Sequence, residues 1–312
     1  MHRIAERDAE VAGARRATRT VAVIVHAGKT LDGGLPELRH ALARHGVTEP
    51  LWYEVPKSKK APKQVRRAIS DGAELVFVWG GDGMVQRCID ALAGTDVTIA
   101  VVPAGTANLL ATNLGIPKDL DAAVALGFHG ARRKLDAGVV NGEHFAVMAG
   151  TGFDALMIRD ADGGLKNRVG RLAYVFTGAK NLRVPRVRTR IKVDGRRWFD
   201  DKAACVLVGN VGKILGGVTA FEDARPDDGV LELGVVTANG VLQWTRALAR
   251  TAAGRADKSP FVRIVRGREF DVKLRHAMPY ELDGGDRPPT TRLRIAVHPN
   301  AVTVCVPGEA PT

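Results

Sequence analysis

Leu75-Val76-Phe77-Val78-Trp79-Gly80-Gly81-Asp82-Gly83-Met84-Val85 is the stretch on which the fold turns. It opens as a short continuous apolar run, suited to a strand buried on both faces. It breaks at three glycines and resumes through Val85–Leu92 with helical spacing. A buried strand feeding such a loop and then a helix brings backbone N–H groups and a helix N-terminus to one point. Glycine lets the backbone approach an anion closely, and the helix macrodipole favours negative charge there. Asp82 is awkward against phosphate unless it faces a magnesium ion or a sugar hydroxyl. A plain tight turn is the alternative reading of the loop.

Outward from this point the same plan repeats. Val21–Val25 and Leu51–Val55 read as strands, Leu35–His45 and Pro62–Asp71 as helices, and Thr98–Val102 as a further strand followed by the loop Pro103-Ala104-Gly105-Thr106-Ala107-Asn108. Strands alternating with helices predict a parallel sheet in an α/β domain over residues 20–130, preceded by a loose tail at 1–19. In a parallel sheet the carboxyl ends of neighbouring strands form one crevice where ligands bind. Thr106 and Asn108 would offer a hydroxyl and an amide to it; Asn108 could equally cap a helix.

The texture changes at Arg133. Short β-rich segments follow at Ala146–Met148, Arg188–Val193, Ala204–Val208, Val230–Val236, Phe270–Leu274, Leu293–Val297 and Val302–Val306, separated by turn signals such as Asp227-Asp228-Gly229. Helices are expected at Arg171–Leu182 and Val241–Ala253. The whole predicts a mainly antiparallel β domain over residues 131–312, with the last residues able to return to the first domain.

Composition narrows the function. The 312 residues carry 46 Lys and Arg against 34 Asp and Glu, a formal charge of +12. That excess favours anionic partners. It is concentrated in Lys57, Lys59, Lys60, Lys63, Arg66 and Arg67, and again between Lys180 and Arg197. A solvated face rich in arginine is the plain alternative. No helix-turn-helix or RNP-like aromatic motif is visible, so no nucleic-acid partner is expected. No apolar run approaches the 18 or so residues that span a bilayer, and no signal peptide is apparent, so a cytoplasmic protein is expected. Cys88, Cys205 and Cys305 form no CxxC pair and are expected to be buried free thiols. Gly28-Lys29-Thr30 resembles the end of a Walker A loop, but Val23 stands where its first glycine belongs. Gly150-Thr151-Gly152-Phe153-Asp154-Ala155 fits a loose dinucleotide fingerprint outside any βαβ unit.

Taken in order, these pieces resemble the diacylglycerol kinase catalytic family, including its bacterial lipid kinase branch and its sphingosine kinase relatives. They are the Gly80–Gly83 loop, Pro103–Asn108 with Leu114-Gly115-Ile116-Pro117, Ala149–Ala155, Gly170-Arg171-Leu172-Ala173-Tyr174, Val208-Gly209-Asn210, Ala224–Gly229 and Leu282-Asp283-Gly284. The resemblance implies an ATP-dependent lipid kinase, with diacylglycerol as the default acceptor and a sphingoid base next. It places ATP against Gly80, Gly81, Asp82, Gly83, Met84, Val85 and Gln86 and against Ala104, Gly105, Thr106 and Asn108. It makes Asp283 the general base, although an Asp-Gly pair can also simply begin a β-turn. It suggests a Mg2+ site of Asp228 with backbone carbonyls near Arg225 and Val230, the oxygen ligands magnesium prefers. It implies a lipid substrate met at an anionic membrane surface by a peripherally associated cytoplasmic enzyme; a homodimer is compatible. The rival readings are an NAD kinase-like enzyme and a catalytically impaired basic membrane-binding protein. The chain departs from the family at His26-Ala27 for Asn-Pro, at Met84 for threonine, at Gln86-Arg87 for Asn-Glu and at Gly285 for glutamate.

Overall fold

The computed structural model describes residues 19–152, 186–214, 218–252 and 258–308. Its first unit runs β1 (Val21–His26), α1 (Gly34–Arg44), β2 (Leu51–Val55), α2 (Ala61–Ser70), β3 (Leu75–Gly80), α3 (Asp82–Leu92), β4 (Thr98–Pro103), α4 (Leu109–Asn113) and α5 (Leu120–His129). The strands pair in parallel in the order β4-β3-β1-β2. Alternate residues of each strand serve opposite faces. Ala22, Ile24, Val76 and Val78 pack with Val65 of α2 and Cys88 and Ile89 of α3. Val23, Val25, Phe77 and Trp79 pack with Leu38 and Leu42 of α1 and Val124 of α5. Helices on both faces explain why these strands are apolar without interruption. Helix α5 was not anticipated from sequence, because Leu120-Asp121-Ala122-Ala123-Val124-Ala125-Leu126 is too evenly apolar for one stripe to stand out. Asp119 starts it by accepting the Ala122 N–H at 2.8 Å.

The second unit runs β5 (Ala131–Val140), β6 (Glu143–Phe145), β7 (Met148–Thr151), β8 (Val187–Val193), β9 (Arg196–Ala203), β10 (Cys205–Gly209), the short pair β11 (Lys213–Ile214) and β12 (Val218–Thr219), β13 (Leu231–Val236), α6 (Val241–Ala252), β14 (Val262–Gly267), β15 (Glu269–Leu282) and β16 (Gly285–Val306). It is antiparallel throughout. One layer is ordered β14-β13-β10-β7 and ends on the tip of β15. The other is ordered β9-β8-β15-β16-β5-β6. Val206, Val208, Leu231 and Leu233 from one layer meet Ile191, Phe270, Val272 and Leu293 from the other in a single core. An α/β domain with a parallel sheet, joined to a mainly antiparallel β domain, is therefore the architecture.

Two expected strands, Leu293–Val297 and Val302–Val306, are one. Strand β16 pairs with β15, then with β5, and ends parallel to β4 at Thr303 and Val304. A register shift between His298 and Val302, with Asn300 at φ 51°, is what splits its pattern in the sequence. The expected strand Ala146–Met148 is displaced to Met148–Thr151 because the N–H groups of Ala146 and Val147 are taken by a side chain rather than a ladder. The expected helix Arg171–Leu182 and the Gly170–Tyr174 motif lie outside the described residues. The three cysteines are free and buried.

Candidate active site

The crevice forms at the carboxyl ends of β1, β3 and β4. Here the two glycine loops touch backbone to backbone. A Cβ on Gly105 would lie 2.4 Å from Gly81 Cα, and one on Gly81 would lie 3.1 Å from Gly105 Cα. Gly81 has φ −97°, an ordinary extended value, so close approach and not left-handed geometry requires glycine here. Around Gly83 there is open space.

Asp82 holds the two loops together. Its Oδ1 accepts the Leu110 N–H at 3.2 Å, so the first residue of α3 sits at the start of α4. Burial raises its pKa, against the backbone N–H groups of Leu110, Leu109 and Asn108 and its own. The carboxylate is thus turned onto the neighbouring loop. Asn108 braces its own loop: Oδ1 accepts the Gly105 N–H at 3.0 Å, and Nδ2 donates to the Pro103 and Gly105 carbonyls at 3.0 and 2.8 Å. It occupies the cap position of α4 at φ 48° without a side-chain cap bond, so neither the capping reading nor a side chain facing the crevice describes it. Thr106 is exposed on that loop.

Met84, Val85 and Gln86 turn away. Met84 and Val85 are buried in the core, and their N–H groups are bonded to the Gly81 carbonyl. Gln86 donates to the His144 carbonyl at 2.6 Å and to Glu143 at 3.2 Å. The side chains of these three residues accordingly do not reach the crevice, because α3 packs that face against β6 and the sheet. Arg87 is likewise committed to Glu143 at 2.6 Å instead of projecting toward a phosphate. Glu143 also takes Arg287 through its Nε at 2.7 Å. Burial works against ionisation of Glu143, yet Arg287 and Arg87 hold its carboxyl below the usual range. Sequence reading missed this network, since Arg287 and Glu143 lie 144 positions apart. It also set aside Lys29. The loop after β1 opens on the same edge, with Trp79 Nε1 donating to the Lys29 carbonyl at 3.0 Å, and Lys29 itself is exposed.

Asp283 comes from the other unit. With φ 45° at Asp283 and 77° at Gly284, the pair makes the tight hairpin between β15 and β16. The side chain is nonetheless buried. Oδ2 accepts the Ala146 N–H at 2.7 Å, and Oδ1 accepts those of Val147 and Met148 at 2.9 and 2.8 Å. Burial pushes its pKa up to about 7 against those three bonds, and the like charge of Asp82 adds to the rise.

The expected magnesium turn does not fit a resident ion. Asp228 Oδ1 accepts the Val230 N–H at 3.2 Å and Oδ2 is paired with Arg266. Arg266 Nε also lies 3.6 Å from the buried Oε1 of Glu232, whose pKa is raised by burial. Arg225 is exposed. A guanidinium already sits on the one carboxylate that the ion would use.

Residues 20–140 match the Diacylglycerol kinase catalytic domain family, and residues 147–306 match the YegS C-terminal NAD kinase beta sandwich-like domain family. The chain belongs to the diacylglycerol kinase and YegS-like lipid kinase family. A "Probable lipid kinase YegS-like" protein of Pseudomonas aeruginosa (strain UCBPP-PA14) is 30% identical over 254 residues, spanning 80% of this chain and 82% of that one. A diacylglycerol kinase of Staphylococcus carnosus is 27% identical over 269 residues, spanning 85% and 87%. The crystal structure of a diacylglycerol kinase from Bacillus anthracis superposes with a TM-score of 0.73 at 21% identity, over 92% of this lipid kinase and 97% of that chain. Yeast NADH kinase shares the fold more distantly, with a TM-score of 0.53 at 11% identity, over 93% of this chain and 84% of that one. The kinase family implies ATP as co-substrate. Among the described residues of this kinase no helix is long and apolar enough to cross a membrane.

Proposed function

We propose that this kinase transfers the γ-phosphoryl group of ATP to the hydroxyl of diacylglycerol, giving phosphatidic acid. The observation that carries this reading is the backbone contact between the Gly81 and Gly105 loops, with the Asp283 carboxyl held at Ala146–Met148, directly after the strand β6 to which α3 is bonded. Phosphoryl transfer asks mainly for positioning and charge neutralisation. The backbone of Gly80–Gly83 and of Ala104–Thr106, with the Thr106 hydroxyl, would hold the phosphates, and the nucleotide would enter as its magnesium complex. Asp82 and Asn108 keep the loops in shape; Met84, Val85 and Gln86 support α3 from behind. As the lipid oxygen bonds to the γ-phosphorus and the bond to the bridging oxygen breaks, Asp283 would take the hydroxyl proton and ADP would leave. Oδ2 suits that task, having one backbone donor where Oδ1 has two. A carboxyl titrating at about 7 is matched to work at neutral pH. The acceptor would enter between the two units from an anionic membrane surface, with the enzyme peripherally associated from the cytoplasm.

The test is transfer of labelled phosphate from ATP into a total lipid extract, with mass identification of the product and a parallel reaction on NAD. Labelled phosphatidic acid is the expected result. A labelled sphingoid base would change the acceptor, and label in NADP alone would overturn the lipid kinase reading.

A further inference from the structure

Strand β8 alternates without a break. Val187, Thr189, Ile191 and Val193 point into the sandwich, while Arg188, Arg190 and Lys192 point out. Pairing extends the outer set into cross-strand rows. Arg190 lies opposite Lys273 on β15, and Lys273 opposite Arg292 on β16. On the other side of β8, Arg188 lies opposite Lys202 and Lys192 opposite Arg197 of β9. Like charges directly opposite each other on adjacent strands are destabilising, yet this face repeats them. Its carboxylates are outnumbered: Asp200, opposite Arg190, is shared by Arg188, Arg190 and Arg197 at 2.7, 3.4 and 3.8 Å, Asp271, opposite Lys192, is taken by Arg292 at 2.6 Å, and Glu269 of β15 is one more. Between Lys192, Arg292 and Arg294 the face dips into a depression of about 760 Å³, also lined by Glu269 and Asp271.

We propose that this outer face of β9, β8, β15 and β16 is the surface on which the kinase docks onto an anionic bilayer. The inference rests on the lipid kinase reading for its occupant, because the acceptor of such an enzyme lies in a membrane. Charge complementarity supplies the rest. A broad sheet of cations suits a plane of lipid phosphates, and a second copy of the same face would repel it. Trp198 of β9 packs against the sandwich core, which leaves the charged rows without an aromatic side chain on which a base could stack, as single-stranded nucleic acid requires. The face is also continuous with the catalytic machinery, since strands β15 and β16 carry the Asp283 turn at their far end.

The experiment is sedimentation of the full chain, without ATP, with phosphatidylcholine vesicles that contain or lack phosphatidylglycerol. The chains compared are wild type, Arg190→Gln/Lys192→Gln/Lys273→Gln, and a control, Lys59→Gln/Lys60→Gln/Lys63→Gln, on the other basic cluster. Each cation near an anionic surface contributes about 1 kcal/mol, so the sheet variant should bind anionic vesicles roughly 100-fold more weakly. The control should lose less, and wild-type binding should fall with added salt. Unchanged melting curves and unchanged phosphorylation of lipid in detergent micelles establish that the sheet variant is folded and active. Equal binding of wild type to neutral vesicles, equal binding by the sheet variant, or a larger loss in the control would overturn the proposal. So would displacement from the vesicles by an equimolar oligonucleotide. The binding result does not depend on turnover, so it stands or falls separately from the identity of the phosphorylated lipid.

Discussion

Asp283 begins a turn, as its Asp-Gly pair allows, and its side chain is buried all the same. It is the first residue of a tight hairpin and, at the same time, a buried carboxylate held by three N–H groups. Its pKa of about 7 has two consequences. The lipid phosphorylation rate should rise with pH through about 7 as the proton leaves. Stability should run the other way: the folded state holds the proton more tightly than the unfolded chain, whose Asp titrates near 4, so stability is full below about pH 4 and declines as pH rises toward 7. Asp283→Asn should lower turnover by roughly 10²–10⁴-fold and remove both pH dependences. Melting should also fall by a few degrees, because the asparagine amide would present a donor to the Ala146 N–H. A variant with near-normal turnover that keeps the rise near pH 7 would show that another group is the base. At the two glycine loops the decisive atoms are absent ones. Gly105→Ala should cost ATP affinity measured by calorimetry, since its Cβ has no room beside Gly81. Gly81→Val should do the same for that steric reason. ATP binding unchanged in a folded variant of either kind would reduce the two loops to turns.

At the scale of elements, the turn between residues 225 and 230 illustrates how a neighbouring strand can change a site's chemistry. Its sequence, Arg225-Pro226-Asp227-Asp228-Gly229-Val230, reads as an oxygen-rich loop, but β14 brings Arg266 onto Asp228 and toward Glu232. Magnesium without nucleotide should therefore leave the melting temperature of the wild type unchanged. Arg266→Ala should expose two carboxylates and make melting rise with added magnesium. A magnesium-dependent shift in the wild type would contradict the pairing. The same logic governs α3, where Gln86 and Arg87 stand in place of the family's Asn-Glu. Their partner Glu143 comes from β6, so an acid missing from the helix is present on the strand that faces it.

At the scale of the molecule, β16 joins the two units. Its last residues lie between β4 and β5, with Val302, Val304, Cys305 and Val306 buried. A chain ending at Asn300 would leave β4 with an open edge and remove these side chains from the core of the first unit. It should be recovered as aggregate or melt without one cooperative transition, by calorimetry. A truncated chain with the wild-type transition would show that the first unit is complete without β16.

What the sequence determined by itself is what depends on neighbours in the chain. Apolar runs marked the strands buried on both faces, and short β-rich segments between turn signals marked the second unit. Glycine and Asp-Gly pairs marked the places where the backbone must turn or approach something closely. The crevice followed from these, because parallel strands put their carboxyl ends side by side whatever their side chains. Tertiary structure alone decided which way each side chain at the crevice points. Asp82 reaches α4, Asn108 its own loop, Gln86 strand β6, and Asp283 the start of β7. It alone fused two apparent strands into β16 and set Arg266 against Asp228. Asn108 apart, the deciding contact spans a long stretch of chain or a bulge, and a buried polar group is placed by whichever partner the completed fold brings within about 3 Å.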